Sequence, residues 1–170
     1  QKTFGIPAFI NNKLPGYGTE MKILSLSKSY EDGRMDIKTK GLKVFRMLNF
    51  QNPVPNKLYA GGRVAYVEDT DTPDGVISEL LLQLDRLHHI LQTKVDFNTQ
   101  LQPFSYQIGH KVGLSQEEEY HLLTIDSETE RQRYILRHLN KVVPVMSEME
   151  RTKERIKLNG HFKNLDPLNF

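Results

Sequence analysis

The chain has 170 residues, 38% apolar and 26% charged, with a formal net charge of +2 and no cysteine. That length fits one large domain or two small subdomains and lets roughly 70% of the unfolded surface be buried without covalent staples. The lack of cysteine excludes a disulfide scaffold, thiolate catalysis and cysteine-ligated zinc; the small charge is no argument for nucleic acid by itself, and no apolar run approaches the ~18 residues of a membrane span.

The first residues, QKTFGIPAFI, carry neither a signal peptide nor an initiator methionine, so an upstream part is expected to be missing. Residues 4–10 are a short apolar run that predicts a strand, and 11–18 read as a loop from their Asn, Pro and Gly content. Residues 19–30 are strand-compatible and lead into Asp32-Gly33, where a type I′ turn, which needs positive φ, predicts a hairpin. On the returning strand Met35, Ile37 and Thr39 alternate with Asp36, Lys38 and Lys40; Gly41 interrupts, and a second run carries Val44, Arg46, Leu48 and Phe50. Pro53 and Pro55 cannot donate to a ladder, so 51–57 is a loop. A further strand is expected over 58–69, with Gly61-Gly62 marking a bulge or a sharp bend. Strands at this spacing usually curl up, so the β half is expected to be closed or nearly so.

From residue 72 the period changes. Thr72 as N-cap and Pro73 at the first helical position open a helix over 74–92, in which Ile77, Leu80, Leu81, Leu84, Leu87 and Leu91 follow i, i+3, i+4 spacing. A short helical segment is expected over 105–113. Ser115 with Glu118 makes a capping box for a helix through Ile125, and Ser127 with Glu130 makes another that opens the longest helix. Ile135, Leu139, Val142, Met146 and Met149 mark the apolar face of that helix, Pro144 is expected to kink it, and the tail from Asn159 is too turn-rich to continue it. The expected architecture is α+β: a β pseudo-barrel over 1–71, its N-terminal part missing, followed by a small helical bundle over 72–170.

Residues able to do chemistry do not converge in the sequence. His88 and His89 are adjacent on a helix, so their rings diverge by about 100° and do not readily share a metal; Asp85 and His89 suit a surface pair, and His110 and His121 stand alone. There is no phosphate-binding loop of the G-x-x-x-x-G-K-[ST] type, and Gly16 and Gly18 lack the third glycine and following helix of a dinucleotide site. There is no nucleophile elbow, and Ser25, Ser27 and Ser29 belong to a strand. Glu117-Glu118-Glu119 complements a helix N-terminus, while Asp69, Asp71 and Asp74 mark a loop. The last helix is rich in cations, Arg131, Arg133, Arg137, Lys141, Arg151, Lys153, Arg155 and Lys157, which read first as a solvated face and second as a surface for an anionic partner. The chain therefore reads as non-catalytic, without cofactor or metal.

The order of these signals resembles a known family. Gly18-Thr19-Glu20-Met21-Lys22-Ile23, then Asp32-Gly33-Arg34-Met35-Asp36-Ile37, then Gly41-Leu42-Lys43-Val44-Phe45-Arg46 are similar to the N-terminal, substrate-binding domain of the ATP-dependent Lon proteases. Leu122-Leu123, Glu130-Arg131, Leu136 and Leu139 extend the likeness into the helical half, so it covers roughly 4–157. The family's opening strand, its ATPase module and its Ser-Lys protease module are not in the sequence, and a stand-alone protein of this one domain is the expectation, an excised fragment of a full Lon protease the alternative. The resemblance implies a PUA-like pseudo-barrel plus helical bundle, a cytoplasmic setting, and recognition of unfolded or partner polypeptides. Leu14 and Tyr17, the apolar residues of the 11–18 loop, are the candidate polypeptide contacts; the other reading makes them a plug at one end of the barrel. An RNA-binding PUA-like domain is the rival function, although the basic helix has only Tyr134 for stacking. An open barrel edge would also allow self-association.

Overall fold

The computed structural model describes residues 3–73, 75–94, 96–100 and 103–161, with side chains through Leu158. It divides into two compact units, one made of 1–72 with 115–127 and the other of 73–114 with 128–170. The segment 115–127, grouped by sequence with the other helices, belongs to the sheet's unit.

In the first unit, strands β1 (Thr3–Pro7), β2 (Tyr17–Ser29), β3 (Met35–Met47) and β4 (Val64–Tyr66) form an antiparallel sheet in the order β1-β2-β3-β4. Pro7 is tolerated because β1 is an edge strand. The expected closure is corrected: among the described residues β1 and β4 do not pair, and the sheet is open. The physical reason lies in strand length. The region expected to be a strand over 58–69 keeps only the three residues of β4; before it Gln51 and Gly61 form an isolated bridge, and Gly62 is pressed against the backbone of Asn49, where a Cβ would collide.

Gly18 matters for a similar reason. Its missing side chain leaves room for the Phe45 ring, which also lies 3.1 Å from where a Gly5 Cβ would be. Phe45 is buried as a result, and with Val44, buried on the opposite face, it anchors the sheet's core. Two turns differ from expectation. The β2–β3 turn, closed by the Gly33 amide donating to the Tyr30 carbonyl at 3.1 Å, has positive φ only at Gly33. It is a three-residue loop ending in a left-handed glycine, not a two-residue type I′ turn. A turn of that latter kind occurs instead at Asn11-Asn12, both at positive φ, where Ile10 and Lys13 exchange two backbone bonds of 2.9 Å.

The third helix of the chain, α3 (Gln116–Thr124), packs on β2 and opens with the predicted capping box. The Glu118 amide donates to Ser115 Oγ at 3.2 Å, and the Ser115 amide donates to the Glu118 carboxylate at 2.8 Å.

The second unit holds α1 (Ser78–Ile90), α2 (Phe104–Ile108) with a following 3-10 turn (Gly109–Lys111), and α4 (Glu128–His161). Leu80, Leu84 and Leu87 of α1, at the predicted spacing, are buried with Phe104 and Ile108 of α2, Val112, and Ile135, Leu139 and Val143 of α4. Each such side chain contributes roughly 1.5–3 kcal/mol on leaving water. Helix α1 starts later than Thr72-Pro73 implied: its N-cap is Ile77, whose amide donates to Gln132 Oε1 at 3.0 Å. Helix α4 continues through Pro144 and through Asn159–His161, so the expected break at Asn159 is corrected. The rest of the tail and Asp74 lie outside the described residues.

Candidate functional site

Side chains paired across two antiparallel strands share a face, and faces alternate along each strand. The register of β2 and β3 therefore sorts the hairpin into two surfaces. One face carries Ser29/Met35, Leu26/Ile37, Ile23/Thr39 and Met21/Gly41; the other carries Lys28/Asp36, Ser25/Lys38, Lys22/Lys40 and Glu20/Lys43. The apolar residues of β2 are spaced 21, 23, 26, which strict alternation would scatter over both faces. Register shifts between Ile23 and Ser25 and between Leu26 and Lys28 each insert one residue, Leu24 and Ser27, and restore them to a single face. A third shift inserts Leu42 in β3.

Among the described residues, neighbouring strands cover only the base of this hairpin. β1 pairs with β2 as far as Lys22, and β4 pairs with β3 only from Phe45 to Met47. Beyond them the arm has solvent on both faces: Leu26 is 53% exposed, Met35 62% and Ile37 39%. The tip is held by Tyr30, whose hydroxyl donates to Asp36 at 2.8 Å, by an Asp32–Arg34 ion pair of 2.7 Å, and by Lys28 over the Tyr30 ring at 4.4 Å. The hydrogen bond to Asp36 holds the Tyr30 phenol above its ordinary pKa, with burial a lesser cause. At the base of the basic face a cleft of about 390 Å³ is lined by Gly5, Glu20, Phe45 and Tyr66 among others. The Tyr66 phenol is likewise raised, first by its hydrogen bond to Glu20.

The two candidate contacts read from the sequence lie near the root of the arm. Leu14 is half-buried in its loop. Tyr17 begins β2 on the apolar face, its ring edge-on to Tyr120 with centroids 6.1 Å apart, and the Tyr120 hydroxyl donates to the Pro15 carbonyl at 2.8 Å. Burial is the main cause of the raised pKa of that Tyr120 phenol.

The buried charges of the second unit form a closed set. The Glu128 carboxylate accepts from the Ser105 amide at 2.9 Å, the Ser105 hydroxyl at 2.5 Å, Gln132 Nε2 at 3.0 Å, and Arg131 Nε and Nη2 at 3.2 and 3.0 Å. Arg131 also lies over the Tyr106 ring at 4.5 Å. Arg131 was expected on a solvated basic face and is instead fully buried. Among the described residues no buried side-chain polar atom lacks a partner, and no three His, Asp or Glu side chains converge as metal ligands. His88 stacks on Phe97 at 5.2 Å, and His138 Nε2 lies 3.1 Å from the Val112 carbonyl. No described helix is long and apolar enough to cross a membrane.

No protein-family model matches the sequence, and no curated protein matches it either. Solved structures do. A Lon N-terminal domain protein from Xanthomonas campestris is similar with a TM-score of 0.57 at 20% identity, over 79% of this chain and 75% of that one. The N-terminal domain of a Mycobacterium avium complex Lon protease is similar with a TM-score of 0.61 at 16% identity, over 82% of this chain and 78% of that one. The chain has the fold of a Lon N-terminal domain, in agreement with the resemblance carried by Gly18-Thr19, Asp32-Gly33 and Gly41-Leu42.

Proposed function

We propose that this protein is a non-catalytic module that binds unfolded or extended polypeptide on the apolar face of its β2–β3 arm. The observation that carries the reading is the alignment of Met21, Ile23, Leu26, Met35 and Ile37 on one face, Leu26 brought there by the inserted residues on either side of it. A hairpin that needed nothing from this face would gain solubility by making it polar; contiguous exposed apolar surface marks a site of interaction. Leu14 and Tyr17 continue the contact surface at the root of the arm. One structural neighbour is a domain of a protease, a class of enzyme whose substrates are polypeptides. A cytoplasmic protein that handles other polypeptides, with bond cleavage left to other machinery, fits these features.

The test is a titration of the full chain with a permanently unfolded model polypeptide, followed by anisotropy. Micromolar-range binding is expected, weakened about tenfold or more in a Leu26→Ser/Ile37→Ser double variant, since two anchor side chains of roughly 1 kcal/mol each are removed. An unfolded polypeptide that fails to bind the wild-type chain removes the basis of this reading.

A further inference from the structure

The two outer edges of the arm are not equivalent, and their difference names a class of ligand. Resting on the polypeptide-binding reading above, we propose that the outer edge of β3, Met35–Gly41, accepts an extended strand of a partner polypeptide whose side chains alternate apolar and acidic.

The backbone comes first. An edge strand offers unpaired amides and carbonyls to any extended chain. On β2 the outer edge beyond Lys22 is interrupted by the inserted residues Leu24 and Ser27. Such bulges twist an edge and blunt it against pairing. On β3 the seven residues Met35–Gly41 run without an insertion, contain no proline, and among the described residues have no strand on their outer side. At about 3.3 Å per residue they present a regular edge of roughly 23 Å.

Side chains then set the specificity. An incoming strand places alternate residues beside Met35, Ile37 and Thr39 on one face, and the intervening ones beside Asp36, Lys38 and Lys40 on the other. The first set favours apolar neighbours. On the second face Lys38 and Lys40 are joined by Lys22, directly across the ladder from Lys40, and by Lys43. Among the described residues none of Lys22, Lys38 and Lys40 makes an ion pair. Lysines on an edge are also a guard against indiscriminate pairing. Here that guard is selective, because it repels cationic strands, leaves the lysines uncompensated and partly desolvated beside neutral ones, and is relieved by carboxylates. A second copy of the chain is the poorer occupant: antiparallel self-pairing over the whole edge is centred on Lys38 and sets that lysine against its own copy, and the register centred on Ile37, which matches Asp36 to Lys38, sets Lys40 against Arg34.

The experiment titrates the full chain with four labelled peptides: alternating valine and glutamate, alternating valine and lysine, a scramble of the first, and the first with alternate backbone amides N-methylated. A single-stranded oligonucleotide and the unfolded model polypeptide accompany them. The expected result is binding of the valine–glutamate peptide about tenfold or more tighter than the valine–lysine peptide, the scale of a few cross-strand pairs. N-methylation should abolish that preference, and a Lys38→Glu/Lys40→Glu variant should invert it. If the unfolded polypeptide binds yet the peptides are not discriminated, or N-methylation has no effect, the edge proposal falls while polypeptide binding stands. If neither peptides nor unfolded polypeptide bind, the underlying reading falls. Tight oligonucleotide binding lost in the double lysine variant, or a dimer in sedimentation that the same variant dissolves, would each overturn the assigned occupant.

Discussion

Lys22 of β2 and Lys40 of β3 stand directly opposite each other in the ladder, two like charges at a position where a salt-bridging pair would be favourable. Like charges so placed destabilise a sheet, and opposite ones contribute roughly 0.2–1 kcal/mol. A Lys40→Glu variant is therefore expected to be more stable than the natural chain by up to about 1 kcal/mol in urea unfolding, and the gain should shrink in high salt. The same variant should bind acidic peptides less well. Stability and binding moving in opposite directions would identify the pair as retained for a ligand; a fall in both would assign the lysines to the fold.

Glu128 ties together three pieces of the helical unit: the N-terminus of α2 through Ser105, the guanidinium of Arg131, and the amide of Gln132, whose carbonyl oxygen in turn holds Ile77. Removing one member leaves an uncompensated buried cation. Glu128→Ala is expected to cost about 3–5 kcal/mol, measured by denaturant midpoint. The double variant Glu128→Leu/Arg131→Met should cost far less than the sum of the singles, because it removes both charges together. Additive losses would contradict the coupling seen in the hydrogen bonds.

What could be read from residues alone, and what could not, follows from the range of the interactions involved. The Leu80, Leu84, Leu87 stripe, the Ser115–Glu118 box and the Asp32-Gly33 hairpin are set by residues a few positions apart, and a local pattern records them. The inserted residues Leu24 and Ser27 are defined only relative to β3, so the spacing 21, 23, 26 looks like a broken alternation until the partner strand is in place. The burial of Arg131 is a property of α2 and of Glu128 together. Barrel closure failed as an expectation because β4 is three residues long, with Gly62 packed against Asn49 just before it. The candidate contacts Leu14 and Tyr17 were found by composition; the arm's apolar face needed register, although the sequence signal was there in Met35, Ile37 and Thr39.

Gly18 gives a direct test of the sheet's core. A Cβ at this position would lie 2.5 Å from the Ile6 carbonyl oxygen and 2.6 Å from Phe45 Cζ. The first of these neighbours is backbone and yields little. Gly18→Ala is expected to destabilise the sheet by about 1–3 kcal/mol through overpacking, read as a lowered thermal midpoint. Adding Phe45→Leu should recover part of the ring's share of the clash but not the share that comes from Ile6. Full recovery would show the ring to be the sole obstacle.

The tip of the arm should respond to alkaline pH in a defined direction. The Tyr30 phenol is held above its ordinary pKa of about 10, first by the hydrogen bond it donates to Asp36. A group whose pKa is raised on folding contributes stability that is fully present below the unfolded value and is lost as pH rises through the folded one. The bond between Tyr30 and Asp36 should therefore be intact at neutral pH and break only above about 10, when ionisation sets a phenolate against a carboxylate. The tyrosinate absorbance difference between the natural chain and Tyr30→Phe should show a midpoint displaced upward, and Asp36→Ala should bring that midpoint back down. Over the same pH range the natural chain should lose amide protection at Tyr30 and Gly33 before the rest of the sheet does, whereas Tyr30→Phe, already without the bond, should show no such step. A midpoint for Tyr30 at or below the ordinary phenol value would remove the Asp36 contact as the clasp of the turn.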